Sequence, residues 1–145
     1  MIDEAILRQL VEEFIPFNKF LGIRARELKD GYAVLELPFR DDFIGDPIRR
    51  AMHGGVLSTM ADTAGGIACW TQLPDQSRRV STIDLRIDYL RPGKSEAVLC
   101  EAKVVRQGNR VGVCDMRLYH PSARPDQETE TIATGKGVYN IVQPK

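Results

Sequence analysis

One short stretch of the chain combines a histidine, two adjacent glycines and a carboxylate. His53, Gly54 and Gly55 are consecutive, and Asp62 follows nine residues after the histidine. If a helix begins here, the glycines lie where the first backbone N–H groups have no partner and where the helix dipole is positive. Glycine also lets a ligand atom approach those amides closely. The stretch therefore predicts a site for developing negative charge, with a carboxylate two turns further along.

On a helical wheel, Asp62 lies on a face made of small residues, which are Gly55, Ser58, Thr59, Gly65, Gly66 and Cys69. The opposite face is mostly apolar and typical of a core: Val56, Leu57, Met60, Ala64, Ile67 and Thr71. A glycine inside a helix costs about 1 kcal/mol relative to alanine. The two interior glycines therefore indicate either tight helix packing beside a solvated Asp62 or a functional demand.

The length and composition are those of a globular protein of one domain, residues 1–145, with 43% hydrophobic and 28% charged residues. A net charge of zero argues against nucleic-acid binding driven by bulk charge. No apolar run is long enough for a membrane span, and the first residues lack the pattern of a signal peptide. The three cysteines include no C-x-x-C pair, so we expect reduced thiols, a cytoplasmic protein and no metal site.

The order of predicted elements indicates an α+β fold. Apolar spacing predicts an amphipathic helix over 3–14 with Asp3 as N-cap, ended by Pro16 and followed by an apolar connector in which Phe17 and Phe20 serve as packing or as a lid. A long helix is predicted over 54–73, and loops over 40–52 and 121–127. Strands are predicted over 23–28, 32–38, 81–89, 97–106, 111–119 and 130–141. Segregated helices and runs of strands predict an antiparallel sheet covered on one side by the long helix.

The strand over 81–89 has the clearest alternation in the sequence. Its odd-numbered residues are mostly apolar, namely Ser81, Ile83, Leu85, Ile87 and Tyr89, and its even-numbered residues are polar. Period-two alternation of this kind predicts one apolar face and one polar face.

Together these motifs resemble the hotdog-fold acyl-CoA thioesterases, in particular the phenylacetate-pathway and 4-hydroxybenzoyl-CoA thioesterase-like branch. The matching pieces extend from about Leu21 to Tyr139 and are Met52-His53-Gly54-Gly55, Asp62, Ser81-Thr82-Ile83-Asp84 and Asp88-Tyr89-Leu90-Arg91-Pro92. The resemblance implies a sheet wrapped around the long helix. It also implies a homodimer or homotetramer with paired sites at the subunit interface, and a reaction without a cofactor in which coenzyme A enters only as part of the substrate.

The resemblance implies roles for the catalytic candidates. Asp62 activates a water or attacks the thioester itself, and the Gly54 amide, beside Gly55, polarises the thioester oxygen. His53 shapes the site, or is a helix-start histidine satisfied by the backbone. Thr82 positions water, or Ser81 on the opposite strand face does, depending on the register. The alternative for each residue is an ordinary hydroxyl group at the edge of a strand, with no part in the reaction.

One position departs from the resemblance. Many relatives carry an asparagine five to seven residues before the histidine, and this chain has none there. Asp46 lies in that segment, but an ionised aspartate cannot donate a hydrogen bond as an amide does. We therefore expect Asp46 to be a turn residue.

Coenzyme A brings phosphates, for which strand-end arginines and glycine turns are suitable partners. The candidates for coenzyme A binding are Ser81, Arg91, Pro92, Arg106, Gly108, Asn109 and Arg110. For each arginine, a solvated surface charge is the competing interpretation.

Three functions fit the pattern. The first is an acyl-CoA thioesterase that releases a carboxylic acid and free coenzyme A. The second is a non-catalytic module on the same fold that binds or senses acyl-CoA. The third is an enoyl-CoA hydratase, which needs an acid and a base acting together and has only His53 and His120 to offer beside the aspartate.

Overall fold

The computed structural model describes residues 2–121 and 130–145. At the N-terminus, helix α1 (Glu4–Gln9) is capped by Asp3, whose side chain accepts a hydrogen bond from the Ala5 N–H at 2.7 Å, as predicted. A π-helical turn (Leu10–Phe14) follows.

The connector after Pro16 was predicted wrongly, because it is a second helix, α2 (Pro16–Leu21). Pro16 occupies the first turn of that helix, where its missing N–H removes no hydrogen bond, and Gly22 ends the helix with φ +79°. The expected packing role fails for Phe17 and Phe20, which are exposed, whereas Leu21 and Ile23 are buried.

Six strands form one antiparallel sheet. The strands are β1 (Arg24–Lys29), β2 (Tyr32–Leu37), β5 (Arg79–Tyr89), β6 (Val98–Gln107), β7 (Val111–Tyr119) and β8 (Ala133–Val142), and their order across the sheet is β1-β2-β6-β7-β8-β5. The long β5 therefore forms one edge of the sheet. The order places neighbouring β-hairpin strands side by side, as the sequence pattern predicted.

Helix α3 (Gly54–Trp70) packs against β2, β5, β6, β7 and β8. Its core side includes Leu57, Met60, Ala64 and Ile67. The predicted architecture, an antiparallel sheet wrapped around one long helix with a further N-terminal helix, is confirmed. Gly65 and Cys69, which the helical wheel places on the small-residue face with Asp62, are buried, in agreement with the tight-packing alternative.

The loop predicted over 40–52 contains regular structure. A 3₁₀ turn (Asp41–Phe43) leads into a small ribbon made of β3 (Ile44–Asp46) and β4 (Ala51–Met52). The ribbon ends directly before α3, and a Cβ added at Gly45 would lie 2.6 Å from the His53 Cα. Glycine at position 45 thus allows the ribbon to pack on the helix start. The loop predicted over 121–127 lies, apart from its first residue, outside the described residues.

A bulge in β5 changes the alternation predicted for that strand. The pairing with β8 shifts between Thr82 and Asp84, so Ile83 is an extra residue. Thr82 bonds to a side chain of α3, and Leu85 and Ile87 pack against the core. The prediction was correct for Leu85 and Ile87 but wrong for Ser81 and Ile83, which are exposed, Ile83 by 58%.

Tyr139 on β8 explains one of the interior glycines of α3. Its ring is 1% exposed, and a Cβ added at Gly65 would lie 2.3 Å from the phenol oxygen. At Gly66 the nearest ring atom would be 3.5 Å away, which is an ordinary contact. Close packing on Tyr139 therefore requires glycine at position 65 but not at position 66.

Within the described ranges, no helix is both long enough and apolar enough to cross a membrane.

This packing predicts opposite effects for two neighbouring substitutions. Gly65→Ala should lower the free energy of unfolding by about 1–3 kcal/mol because the methyl group overlaps the Tyr139 phenol. Gly66→Ala should leave it unchanged or raise it by up to about 1 kcal/mol through helix propensity. Urea unfolding of both variants beside the wild type checks this, and equal losses in the two variants would contradict the assignment.

Candidate active site

Asp62 and Thr82 form the centre of the candidate site. The Thr82 hydroxyl donates to Oδ1 of Asp62 at 2.7 Å. The second carboxylate oxygen, Oδ2, has no hydrogen-bond partner among the described residues. A carboxylate held through one oxygen in this way keeps the other available to accept a proton.

Tyr139 fixes the backbone beneath this carboxylate. Its hydroxyl donates to the Asp62 carbonyl oxygen at 2.8 Å. Burial, followed by the negative charge of Asp62, raises the pKa of Tyr139 well above its usual value. The phenol therefore stays neutral and remains a donor. Sequence reasoning missed Tyr139, although its signal was present as a tyrosine in a core strand facing a helix rich in glycine.

The start of α3 has one engaged amide and one available amide. Nδ1 of His53 accepts a hydrogen bond from the Gly55 N–H at 2.8 Å, so the ring acts as the N-cap of the helix. This contact agrees with the second interpretation of His53, a histidine at the helix start whose ring bonds to the backbone. The contact also occupies the Gly55 amide. The Gly54 N–H has no hydrogen-bond partner among the described residues. Gly54 thus offers a donor at the positive end of the helix.

The last residue of β5 and the segment that follows it hold this helix start in position. The Tyr89 hydroxyl donates to the Gly54 carbonyl at 2.9 Å. The Met52 N–H donates to the Gly93 carbonyl at 2.9 Å. The Arg91-Pro92-Gly93 segment therefore lies at the same end of the sheet as Gly54.

A cavity of about 170 Å³ extends along α3 beside the carboxylate. Its polar lining includes Asp62, Thr82 and Asn18, and its apolar lining includes Ile67 and Trp70. Asn18 lies at this cavity without having been predicted as a site residue. A space of this kind, with an apolar wall and a few polar groups, suits a small organic group beside a reacting carboxylate.

Asp46, Ser81 and His120 stand away from this chemistry. Asp46 accepts hydrogen bonds from the Ile48 and Arg49 N–H groups at 3.0 and 3.1 Å, which confirms that it is a turn residue. Ser81 precedes Thr82 on the strand and therefore faces the other side of the sheet. His120 is buried, with Nε2 accepting from the Lys94 N–H and Nδ1 bonding to the Ala97 carbonyl, both at 2.9 Å. With both ring nitrogens engaged, His120 is a poor partner for hydratase chemistry.

The residues predicted to bind coenzyme A lie at opposite ends of the sheet. Arg91 and Pro92 lie near the start of α3, and Arg106, Gly108, Asn109 and Arg110 lie at the β6–β7 turn near its other end. Gly108 and Asn109 line a separate cavity of about 600 Å³ together with Arg78. One chain therefore does not bring all the predicted residues to a single place.

Among the residues described, no group of three or more His, Cys, Asp or Glu side chains is arranged to hold a metal ion. The expectation of a reaction without a metal or cofactor remains a prediction.

Comparisons with known proteins agree with this geometry. The profile described as the thioesterase superfamily matches residues 50–125. The chain is 35% identical to a protein of Halobacterium salinarum classed provisionally as an esterase, over 96% of this chain and 93% of that protein. It is 30% identical to the medium/long-chain acyl-CoA thioesterase YigI of Escherichia coli, over 95% of each.

The fold is also similar to that of a solved structure. The Escherichia coli PaaI protein, from the phenylacetic acid degradation operon, has a TM-score of 0.68 and 29% sequence identity. The match covers 84% of this chain and 85% of PaaI.

The raised pKa of Tyr139 predicts a loss of stability in alkali. The unfolded chain releases this proton near its ordinary pKa of about 10 while the folded chain retains it, so the unfolded state then binds fewer protons. The contribution is complete below about pH 10, and above it the free energy of unfolding falls by about 1.4 kcal/mol per pH unit for this group. Urea unfolding from pH 9 to 11 should show a shallower decline in Tyr139→Phe than in the wild type.

The other tyrosines do not disturb that comparison. Burial also raises the pKa of Tyr32, to about 12, but this group is present in both proteins and its contribution cancels. Identical slopes in the two proteins would refute the role given to Tyr139.

Proposed function

The chain belongs to the thioesterase superfamily, and on that basis we propose that it is an acyl-CoA thioesterase, which hydrolyses a thioester to a carboxylic acid and free coenzyme A. The observation that carries the proposal is the Asp62 carboxylate held by Thr82 beside a cavity. A free amide at the start of the same helix supports it. The names of YigI and PaaI give the substrate class.

In the proposed reaction, the Gly54 N–H donates to the thioester oxygen as negative charge develops on it. Asp62 then acts in one of two ways. As a general base, it takes a proton from water through Oδ2 while the water oxygen attacks the acyl carbon. As a nucleophile, it attacks the carbon itself and water later hydrolyses the acyl-enzyme. In both routes the coenzyme A thiolate leaves and is protonated.

We also propose that the site is completed by a second copy of the chain. Eight residues separate Gly54 from Asp62, which places them about 12 Å apart along the helix axis. That separation favours an arrangement in which the amide of one subunit and the carboxylate of the other act on one thioester. The edge strand β5, eleven residues long with an exposed Ile83, offers a surface for pairing two sheets. A dimer, or a dimer of dimers, follows from this pairing.

Arg91 and Pro92 are the best supported of the proposed coenzyme A contacts, because they lie at the same end of the sheet as Gly54. The arginines at the β6–β7 turn would reach coenzyme A only from the other end of the molecule. We retain the cytoplasm as the proposed location, since all three cysteines are unpaired.

The decisive variant is Asp62→Asn. Release of coenzyme A, followed with a thiol reagent over short, medium, long and aromatic acyl-CoAs, should fall by about two orders of magnitude or more relative to the wild type, because the amide cannot take a proton. Binding of a non-hydrolysable thioether analogue should persist. If the wild type binds the analogue but releases no coenzyme A from any ester, the chain is instead an acyl-CoA-binding module.

Thr82 and Ser81 form a matched pair for a second test. Thr82→Val keeps the side-chain shape but removes the hydrogen bond to Asp62, so kcat should fall by about tenfold. Ser81→Ala, on the opposite strand face, should retain the wild-type kcat. A stronger effect at Ser81 than at Thr82 would mean that the other hydroxyl serves the reaction.

A further inference from the structure

Asn18 is a buried polar residue with an unused donor. Its side chain is only 2% exposed, and its amide nitrogen Nδ2 has no hydrogen-bond partner within residues 2–121 and 130–145. A buried N–H group that gives up water without gaining another acceptor lowers the stability of the fold. Such a group calls for a specific explanation.

The backbone around Asn18 is held by hydrogen bonds at the end of a short helix. Asn18 lies in the short helix α2, which begins at Pro16 and ends at Gly22. The Asn18 carbonyl accepts from the N–H groups of Gly22 and Ile23, at 2.9 and 3.1 Å. Leu21 and Ile23, three and five residues further along the chain, are buried, so this segment packs against the core on the side of Asn18.

The same cavity of about 170 Å³ is lined by Asn18, Asp62 and Thr82. Much of the remaining wall is apolar, including Ile15, Ile67 and Val80. A cavity of this size holds several waters, since one water occupies about 30 Å³ in the liquid. The residues that line this water-sized space therefore include one whose buried amide nitrogen has no partner among the described residues and one with a carboxylate oxygen left without a partner there.

We propose that Asn18 holds the water that Asp62 activates, an inference that rests on the thioesterase function proposed above. The Asn18 Nδ2 group donates to one lone pair of the water oxygen, and the water donates one hydrogen to Oδ2 of Asp62. Its second lone pair then attacks the acyl carbon while Asp62 takes the proton. The C–S bond breaks, and the thiolate leaves with the electron pair and is protonated.

This assignment separates function from stability. If the amide exists to hold water, an apolar residue of similar size should preserve the fold and lose rate. If it has a structural role instead, the same residue should destabilise the fold. Asn18→Leu is the variant that makes this distinction.

The experiment measures kcat, KM and melting temperature for Asn18→Leu, with the acyl-CoA that the wild type prefers. We expect kcat to fall by about 10- to 100-fold, KM to stay within about twofold, and the melting temperature to stay level or rise. Lys19→Leu is the matched control, because it makes the same replacement one residue along, at an exposed position of α2. It should leave kcat and KM within about twofold of the wild type.

A second pair keeps the test decisive if the leucine variant does not fold. Asn18→Ser retains a donor and Asn18→Ala does not, although both are small. We expect kcat of the serine variant to exceed that of the alanine variant by about fivefold or more. Equal kcat values in this pair would overturn the proposal.

Other results would also overturn it. An unchanged kcat in Asn18→Leu excludes a role in holding the water, and a raised KM at constant kcat assigns Asn18 to ground-state binding of the acyl group. Loss of activity in Asp62→Asn together with normal activity in every Asn18 variant rejects this inference alone. A wild type that hydrolyses no acyl-CoA rejects the proposed function itself.

Discussion

The contact between Tyr139 and α3 is the constraint on which the rest of the candidate site depends. The phenol lies so close to the helix that residue 65 cannot carry a side chain, and its hydroxyl bonds to the carbonyl of Asp62. Gly137, on the same strand, is crowded by the same ring, since a Cβ added there would lie 2.5 Å from it. Helix and sheet are therefore held together at the turn that carries the carboxylate. The energy lost through an interior glycine at position 65 is offset by close packing at the turn that carries Asp62.

The bulge in β5 brings a hydroxyl group to the carboxylate whose backbone Tyr139 holds in place. If all residues of β5 paired regularly, with no bulge at position 83, strict alternation would place Thr82 on the face opposite Leu85 and Ile87. With it, the hydroxyl faces α3 and the apolar residues that follow still face the core. The bulge therefore allows one strand to direct both the Thr82 hydroxyl and the later apolar residues inward. It also leaves Ile83 on the exposed edge of the sheet, where pairing with another strand would cover it.

Much of the fold was predictable from the sequence because the periodic spacing of apolar residues can be recognised within each single helix or strand. The strands and the long helix were predicted to within a few residues, and so was the cap at Asp3. The helix after Pro16 was missed because a proline that ends one helix is equally suited to begin the next. The bulge was missed because it leaves no trace in the residue types, only in the pairing with β8.

The candidate site also combines residues that could be predicted from the sequence with residues that could not. Gly54, Asp62 and Thr82 were predictable because they belong to motifs with fixed spacing along the chain. Tyr139 and Asn18 were not, since they reach the site from β8 and α2, and only tertiary packing brings these elements together. The role of His53 was left open by the sequence; the bond from the Gly55 N–H shows that its ring caps the helix, and a part in shaping the site stays a prediction.

The two ends of α3 impose one further condition on any mechanism. The free Gly54 amide lies at the start of the helix, whereas Asp62 and its cavity lie two turns further along, toward Trp70. A thioester bound at the amide of one chain is therefore offset from the carboxylate of that chain by roughly the rise of eight residues, about 12 Å. Antiparallel pairing of two β5 edges would reverse the direction of one helix relative to the other. It would bring the amide end of each subunit toward the carboxylate of its partner. The long exposed edge and the separation of the two groups thus support the same proposal, that two chains build each site.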